Sequence, residues 1–245
     1  MYGFKILSIL LFLNIALFGN TSITKVKYEG GISLFGKVAE ASVELKQDKI
    51  NHTYKITLTA FSTGIVKVLT SNRKDIFISE GNIKDGRYIP NIFTRIIRKN
   101  DYLEKTTYIF DYKKNKILKK TYTKEFIDDS SYDIIKMQRI SKKKLVKSNE
   151  EKYLKLYPND YLSMYLNLSA GKLKFGEVKY IDEKDSNKVI LLDEKSFEVI
   201  KHDGDEIYHI DIIKDNSIFF DKAIAVDIAF YGDAYIKKIS EKVIN

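Results

Sequence analysis

Apolar and polar residues alternate with a period of two along most of the chain. In "HTYKITLTAFS", Tyr54, Ile56, Leu58 and Ala60 alternate with Lys55, Thr57 and Thr59. In "YLEKTTYIFDY", Tyr102, Thr106, Tyr108, Phe110 and Tyr112 share a face. In "EIYHIDIIK", Tyr208, Ile210 and Ile212 lie opposite His209 and Asp211, and "AIAVDIAFYG" repeats the pattern with Ile224, Val226, Ile228 and Phe230. Successive strand side chains point to opposite faces, so this alternation predicts strands with one buried and one wet face. The connections agree. Asp85-Gly86 and Asp203-Gly204 are hairpin dipeptides, because their turns need a positive φ. With Asp203 and Gly204 central, His202 and Asp205 face each other. Tyr112 to Ile117 reads as a hairpin with a four-residue loop. Pro90 and Pro158 are the only prolines, and each is expected to start an element rather than interrupt one.

One segment departs from this period. In "YPNDYLSMYLNLSAGK", Tyr161, Leu162, Tyr165, Leu166 and Leu168 recur at helical spacing. Asn159 or Asp160 can cap the start and Gly171 can end it, which predicts a short helix from about Asp160 to Leu168. The preceding "RISKKKLVKSNEEK" is the most charged part of the chain and reads as a mobile loop or solvated hairpin end. A β-region to about Tyr122 and another from about Phe175 read as two halves of one sheet system. Antiparallel strands without crossover helices predict an all-β fold, a curved sandwich or barrel-like sheet with one short helix.

The N-terminus changes the picture of where the protein works. Lys5 precedes a run from Ile6 to Phe18 that is apolar except for Ser8 and Asn14. This is a signal-peptide pattern, with cleavage near Gly19 or Asn20. The run is short for a membrane span, which takes about 20 residues. An uncleaved anchor and a buried N-terminal element are the alternatives. The expected organisation is a signal peptide over residues 1–20 and a single β-rich domain over 21–245, placed in the periplasm. No later apolar run is longer than a strand. The chain has no cysteine, which excludes a lipobox, a disulfide and a thiolate nucleophile or metal site. The net charge of +9 favours anionic surfaces such as phospholipid headgroups, lipopolysaccharide or nucleic acid. The lysines are interspersed with 33 acidic residues, in a composition rich in Lys, Ile and Asn, so no nucleic-acid partner is expected.

The stretch "GGISLFGKVAEASVEL" offers the first candidate chemistry. Gly31, Gly36 and Lys37 make Gly-x-x-x-x-Gly-Lys, one residue short of a phosphate-binding loop. The next residue is Val38, which has no oxygen for Mg²⁺, and Ile32, Leu34 and Phe35 put apolar bulk where backbone must wrap phosphate. No nucleotide is expected. Apolar residues occupy even positions before Gly36 (Ile32, Leu34) and odd ones after it (Ala39, Ala41, Val43, Leu45). A one-residue phase change is what a β-bulge produces, so a strand bent at Gly36 is predicted, with Gly30-Gly31 easing the turn before it.

"KYEGGISLFGKVAEASVEL" followed by "HTYKITLTAFSTGIVKVL" resembles the opening of a bacterial exported-protein family catalogued as domain of unknown function 3108. The matching positions are Tyr28, Gly31-Ile32, Gly36 and Gly64. "RYIPNIFT" looks like the family's Pro plus aromatic after a hairpin, at Pro90. "NDYLSMYLNL" looks like its Asp-x-Leu-Ser-x-x-Tyr segment, as Asp160, Leu162, Ser163 and Tyr165, with Tyr161 where the family usually has Pro. The likeness spans most of the chain beyond residue 20. It implies an exported, mostly β protein and brings no catalytic residue. On it rest four structural candidates: Gly31, Gly36, Gly64 and Pro90.

Other constellations are weak. His52, His202 and His209 form no ligand set, although His209 and Asp211 share a strand face, so no metal is expected. Gly-x-Ser-x-Gly is absent, and Asp128-Asp129 and Asp203/Asp205 sit where turns favour Asp. Asn51-His-Thr and Asn167-Leu-Ser fit the glycosylation pattern, and the 17 tyrosines fit strand core and rim. No catalytic residue and no cofactor are expected. The expected function is non-enzymatic: binding of an apolar or amphipathic, lipid-like ligand in the curved sheet, or of an envelope protein. The rivals are an exported hydrolase, which needs a convergent polar site, and an outer-membrane barrel, against which the ending "SEKVIN" lacks a terminal aromatic.

Overall fold

The computed structural model describes residues 21–133, 135, 137–181, 187–192, 196–200, 207–228 and 232–244. The expected signal peptide, the Asp203-Gly204 turn and Phe230 lie outside them. Strands β1 (Thr21–Ile32) to β3 (Thr53–Ser62), with β2 (Gly36–Asp48) between them, are followed by helix α1 (Gly64–Leu69). Strands β4 (Lys74–Lys84), β5 (Arg87–Lys99), β6 (Tyr102–Asp111) and β7 (Lys116–Asp128) come next, then the short pair β8 (Ser131–Asp133) and β9 (Gln138–Ile140). Strand β10 (Lys143–Lys155) leads to helix α2 (Tyr161–Ser169). The rest is β11 (Gly176–Tyr180), β12 (Asn187–Leu191), β13 (Ser196–Ile200), β14 (Ile207–Ile213), β15 (Lys222–Ile228) and β16 (Gly232–Ile244).

Among the described residues, fourteen strands form one antiparallel sheet in the order β10-β7-β6-β5-β4-β3-β2-β1-β16-β15-β14-β13-β12-β11. The two predicted halves join where β1 pairs with β16, from Ile23 opposite Ile244 to Ile32 opposite Ala234. The sheet is open, with β10 and β11 at its edges, so the fold is a curled sheet and not a closed barrel. The curl surrounds α2. Leu162 and Leu166 of α2 enter the main core with Val26, Leu45, Ile56, Phe93, Tyr108 and Ile117. Met164 enters a second cluster with Tyr180, Val189 and Leu191, near the opposite edge. Both faces of one short helix are thus buried by distant parts of one sheet, which is the main hydrophobic reason for the curvature.

The predicted Asp85-Gly86 hairpin is present: Lys84 pairs with Arg87, and the two turn residues take φ of 52° and 73°, as a type I′ turn requires. The loop between β6 and β7 has four residues, Tyr112 to Asn115, since Asp111 pairs with Lys116. Its flanking pair lies one residue earlier than Tyr112 with Ile117.

Four expectations are corrected. The chain does not bend through Gly36 but reverses: Ile32 pairs with Gly36 across a three-residue turn, and Gly36 takes the positive φ of 66°. The phase change belongs to two separate strands, and the bulge falls at Val38, skipped between the Gly30–Ala39 and Gly31–Lys37 pairs. Gly30 and Gly31 lie within β1. Pro90 lies inside β5, at a bulge where Gly81 pairs with Pro90 but Glu80 pairs with Ile92. Its pairing with β6 begins only at Ile92, so no ladder bond needs the N–H that proline lacks. The "RISKKKLVKSNEEK" segment builds part of β9 and most of β10, so of its two readings the mobile loop is replaced by a solvated hairpin arm paired with β7. Its side chains are exposed because β10 is an edge strand, where lysines oppose further pairing. Helix α1, which no period announced, follows β3.

Candidate functional site

Asp160, the N-cap of α2, is wholly buried. One carboxylate oxygen accepts the backbone N–H groups of Leu162 (2.8 Å) and Ser163 (2.9 Å). The backbone N–H of Asp160 donates to the Ser163 hydroxyl at 2.9 Å, completing a capping box. The other carboxylate oxygen accepts the Ser79 hydroxyl of β4 at 2.6 Å, and Ser79 bonds the Tyr54 hydroxyl of β3 at 2.9 Å. A line of polar groups therefore runs from the helix cap through the sheet. Burial pushes the Asp160 carboxyl up to about 6, against the pull of the hydrogen bonds it accepts. Tyr54 is pushed strongly up, by burial first and then by the Asp160 charge.

Asp160, Leu162, Ser163 and Tyr165 thus seat the helix. Leu162 fills the core. The Tyr165 hydroxyl donates to the Ile218 carbonyl (3.3 Å) and accepts the Phe220 N–H (3.1 Å), and burial pushes it up to about 12. Tyr28 donates to the Phe220 carbonyl at 3.0 Å. Helix α2 and residues 218–220 thus pack into the main core on the inner face of the curl.

Cross-strand register shows where the covered face continues. One row reads Val26, Val43, Leu58, Phe77, Arg95, Thr106, Thr121 and Glu150 across β1 to β7 and β10. The next reads Thr24, Leu45, Ile56, Ser79, Phe93, Tyr108, Lys119 and Lys152. Each row starts mainly apolar, where α2 covers it, and turns polar towards β10. The polar ends line a cavity of about 340 Å³ bounded by Arg95, Glu104, Thr106, Lys119, Thr121, Glu150 and Lys152.

Arg95 is the buried cation of this basin, 7% exposed. Its guanidinium faces the Glu104 carboxylate at 3.4 Å. Glu104 also accepts the Tyr102 hydroxyl at 2.6 Å and the Thr106 hydroxyl at 3.5 Å. Burial and the bond to Glu104 push the Tyr102 hydroxyl up to about 12. Lys119 lies over the Tyr108 ring at 5.6 Å. The basin thus holds three cations and two carboxylates with threonine hydroxyls between them, a lining suited to polar recognition.

None of the seven lining residues stands out as functional in the sequence, where Thr106 marks only a strand face and Glu150 and Lys152 only a charged segment. Arg95 carried a signal: it sits in phase with Phe93 and Ile97, a charge on an inward strand face. The others became neighbours only through pairing between strands far apart in sequence.

The four structural candidates lie away from the basin. Gly31 lies in β1 under the ring of Tyr235, where a Cβ would fall 2.3 Å from the ring. Gly36 closes the β1–β2 turn, Gly64 opens α1, and the Pro90 carbonyl accepts the Tyr112 hydroxyl at 2.6 Å. His209 and Asp211 touch at 3.1 Å as an exposed pair. Among the described residues no cluster of three His, Cys, Asp or Glu side chains could hold a metal, and no helix is long and apolar enough to cross a membrane.

No protein-family model matches the chain, and no curated protein matches it. A solved structure, a "putative exported protein with YmcC-like fold" from Bacteroides fragilis, is similar at 8% identity, over 91% of this chain and 95% of that one, with a TM-score of 0.25. At that score the likeness carries no argument for this chain.

Proposed function

We propose that this chain is an exported cell-envelope protein that works by binding, and that the Arg95 basin holds a polar, anion-bearing envelope ligand. Export is supported by Lys5 and the apolar run Ile6–Phe18, and by the resemblance to the exported family. The observation that carries the site is a buried arginine in an open cavity, on the part of the covered face that α2 leaves bare. A planar guanidinium held by Glu104 is pre-oriented for a carboxylate or phosphate. Lys119 and Lys152 flank it with further positive charge. Glu150 and the threonines suit hydroxyl or amine groups on the same ligand, as on a charged glycan or peptide. The test is native mass spectrometry of the protein released from the envelope of its own cells, compared with Lys152→Glu. A bound polar molecule lost in the variant supports the reading. A protein that never carries one, and gives no titration heat with soluble muropeptides, overturns it.

A second reading, an exported hydrolase, draws on Glu104 and Glu150 lining one cavity. Paired carboxylates can act as acid and base. Glu104 already accepts from Arg95, Tyr102 and Thr106, so both its oxygens are engaged in holding its neighbours, which suits a binding role. Release of product from envelope glycan by the wild type, lost in Glu150→Gln, would select the hydrolase.

A further inference from the structure

One end of the sheet carries large apolar side chains that stay more than half exposed. Leu34 and Phe35 at the β1–β2 turn are 66% and 51% exposed, and Ile65, Val68 and Leu69 of α1 are 69–76% exposed. The two elements adjoin, since the Thr63 N–H at the start of α1 donates to the Val38 carbonyl at 2.8 Å. Helix α1 buries none of its residues, and its N-cap Thr63 makes no side-chain capping bond. A helix so short is not stable by itself in water. Here it is held by its ends, through the Ser62–Thr70 hydroxyl pair at 2.7 Å and the Asn72–Asn100 amide pair at 2.7 Å.

Cations outnumber acids around these side chains: Lys37, Lys67, Arg73, Lys74 and Arg98 stand against Glu40, Asp75 and Asp233, whose carbonyl bonds Ser33. Residues 30–39 and 61–74 contain Lys37, Lys67, Arg73 and Lys74 and no acid. Lys37 and Arg73 are paired with Glu40 and Asp75. Lys74 and Arg98 stand directly opposite across β4 and β5, both exposed. Like charges in that position destabilise a sheet, and an anion between them would relieve it.

We propose that this end docks on an anionic phospholipid surface, its five apolar side chains entering the boundary between headgroups and acyl chains. Lys67, Lys74 and Arg98 then lie among the phosphates. Protruding apolar residues ringed by cations are the pattern of interfacial membrane binding, with the two contributions adding. The proposal goes beyond the reading of the basin and stands even if the basin binds nothing.

The test uses the full chain, which contains no tryptophan. Phe35→Trp places a single reporter at the tip. Ile50→Trp places one on an exposed turn at the other end of β2, about 40 Å away. The Phe35→Trp emission is expected to shift to the blue with phosphatidylglycerol vesicles and to be quenched by brominated acyl chains. The Ile50→Trp emission is expected to stay unchanged, so insertion by the N-terminal apolar run is told apart. Adding Val68→Asp to Phe35→Trp is expected to weaken the response by about tenfold or more, and salt to weaken it further. An unshifted Phe35→Trp, or an equal shift at both reporters, overturns the proposal. So does a shift that grows with protein concentration without vesicles, which assigns the tip to a second copy of the chain.

Discussion

The side-chain amide of Asn167 pairs with both main-chain groups of Tyr88, accepting its N–H at 2.8 Å and donating to its carbonyl at 2.8 Å. The same amide nitrogen donates to the Asn159 side chain at 3.0 Å. Asn167 is completely buried. One side chain of α2 therefore continues the ladder of β5 and fixes where the helix lies on the sheet. Asn167→Ala leaves three buried polar groups without this partner, and each such group costs about 1–3 kcal/mol. A loss of about 3–5 kcal/mol is expected in urea unfolding. Asn167→Asp is also destabilising, because a carboxylate can accept from Tyr88 but repels both oxygens.

Asp160 makes stability depend on pH in the direction opposite to acid denaturation. Its folded pKa of about 6 lies above the ordinary 3.8, so its contribution is fully present below the unfolded value and is lost as pH rises through about 6. The change across that window is about 3 kcal/mol. Glu44 and Asp48, whose carboxyls hydrogen bonds hold below the usual range, act oppositely at lower pH. The clean quantity is the difference between wild type and Asp160→Asn. Urea midpoints from pH 4 to 7.5 should show the variant gaining on the wild type as pH rises, with no further gain above about pH 7. A flat difference would contradict the raised pKa.

Gly81 and Gly36 separate two reasons for glycine. A Cβ at Gly81 would lie 2.0 Å from the Ile89 carbonyl oxygen and 2.8 Å from Pro90 Cα, backbone that the Pro90 bulge holds in place. Gly81→Ala is expected to cost about 3 kcal/mol or more in thermal unfolding. At Gly36 a Cβ meets nothing within 4 Å, and only the positive φ opposes it, so Gly36→Ala should cost about 1 kcal/mol.

Tyr165→Phe removes the hydroxyl that both donates to Ile218 and accepts from Phe220. The ring still stacks on Phe219, at 6.1 Å between centroids. Stability should fall by about 1–2 kcal/mol. The Phe220 amide should lose hydrogen-exchange protection more than amides of β4 and β5, as expected if the hydroxyl secures residues 218–220 locally.

Local physics reached far into this fold. The period-two runs of β3 and β6, the I′ turn at Asp85-Gly86 and the cap of α2 depend on neighbours a few residues apart, and each was legible in the amino-acid order. Asp160 and Ser163 show the limit of that reading. Their spacing announced a helix start, but not that the cap would be buried against Ser79 and Tyr54 with its carboxyl pushed up to about 6.

What sequence could not decide was long-range pairing. The phase change around Gly36 suits a bulge or a reversal equally, and only the pairing of Ile32 with Gly36 chooses. Charged "RISKKKLVKSNEEK" reads as a loop or a hairpin end until β7 gives its backbone a ladder and leaves its side chains in water at an edge. The basin arises from the same cause. Arg95, Thr106, Thr121 and Glu150 are separated along the chain, and register alone sets them in one row. Alternation is a property of one strand, so the sequence by itself determined the strands that alternate, such as β3 and β6, and which of their faces is dry. Which faces meet, what fills the curl and where it stays open are set by hydrogen bonds and burial between distant strands, and those only the tertiary structure decided.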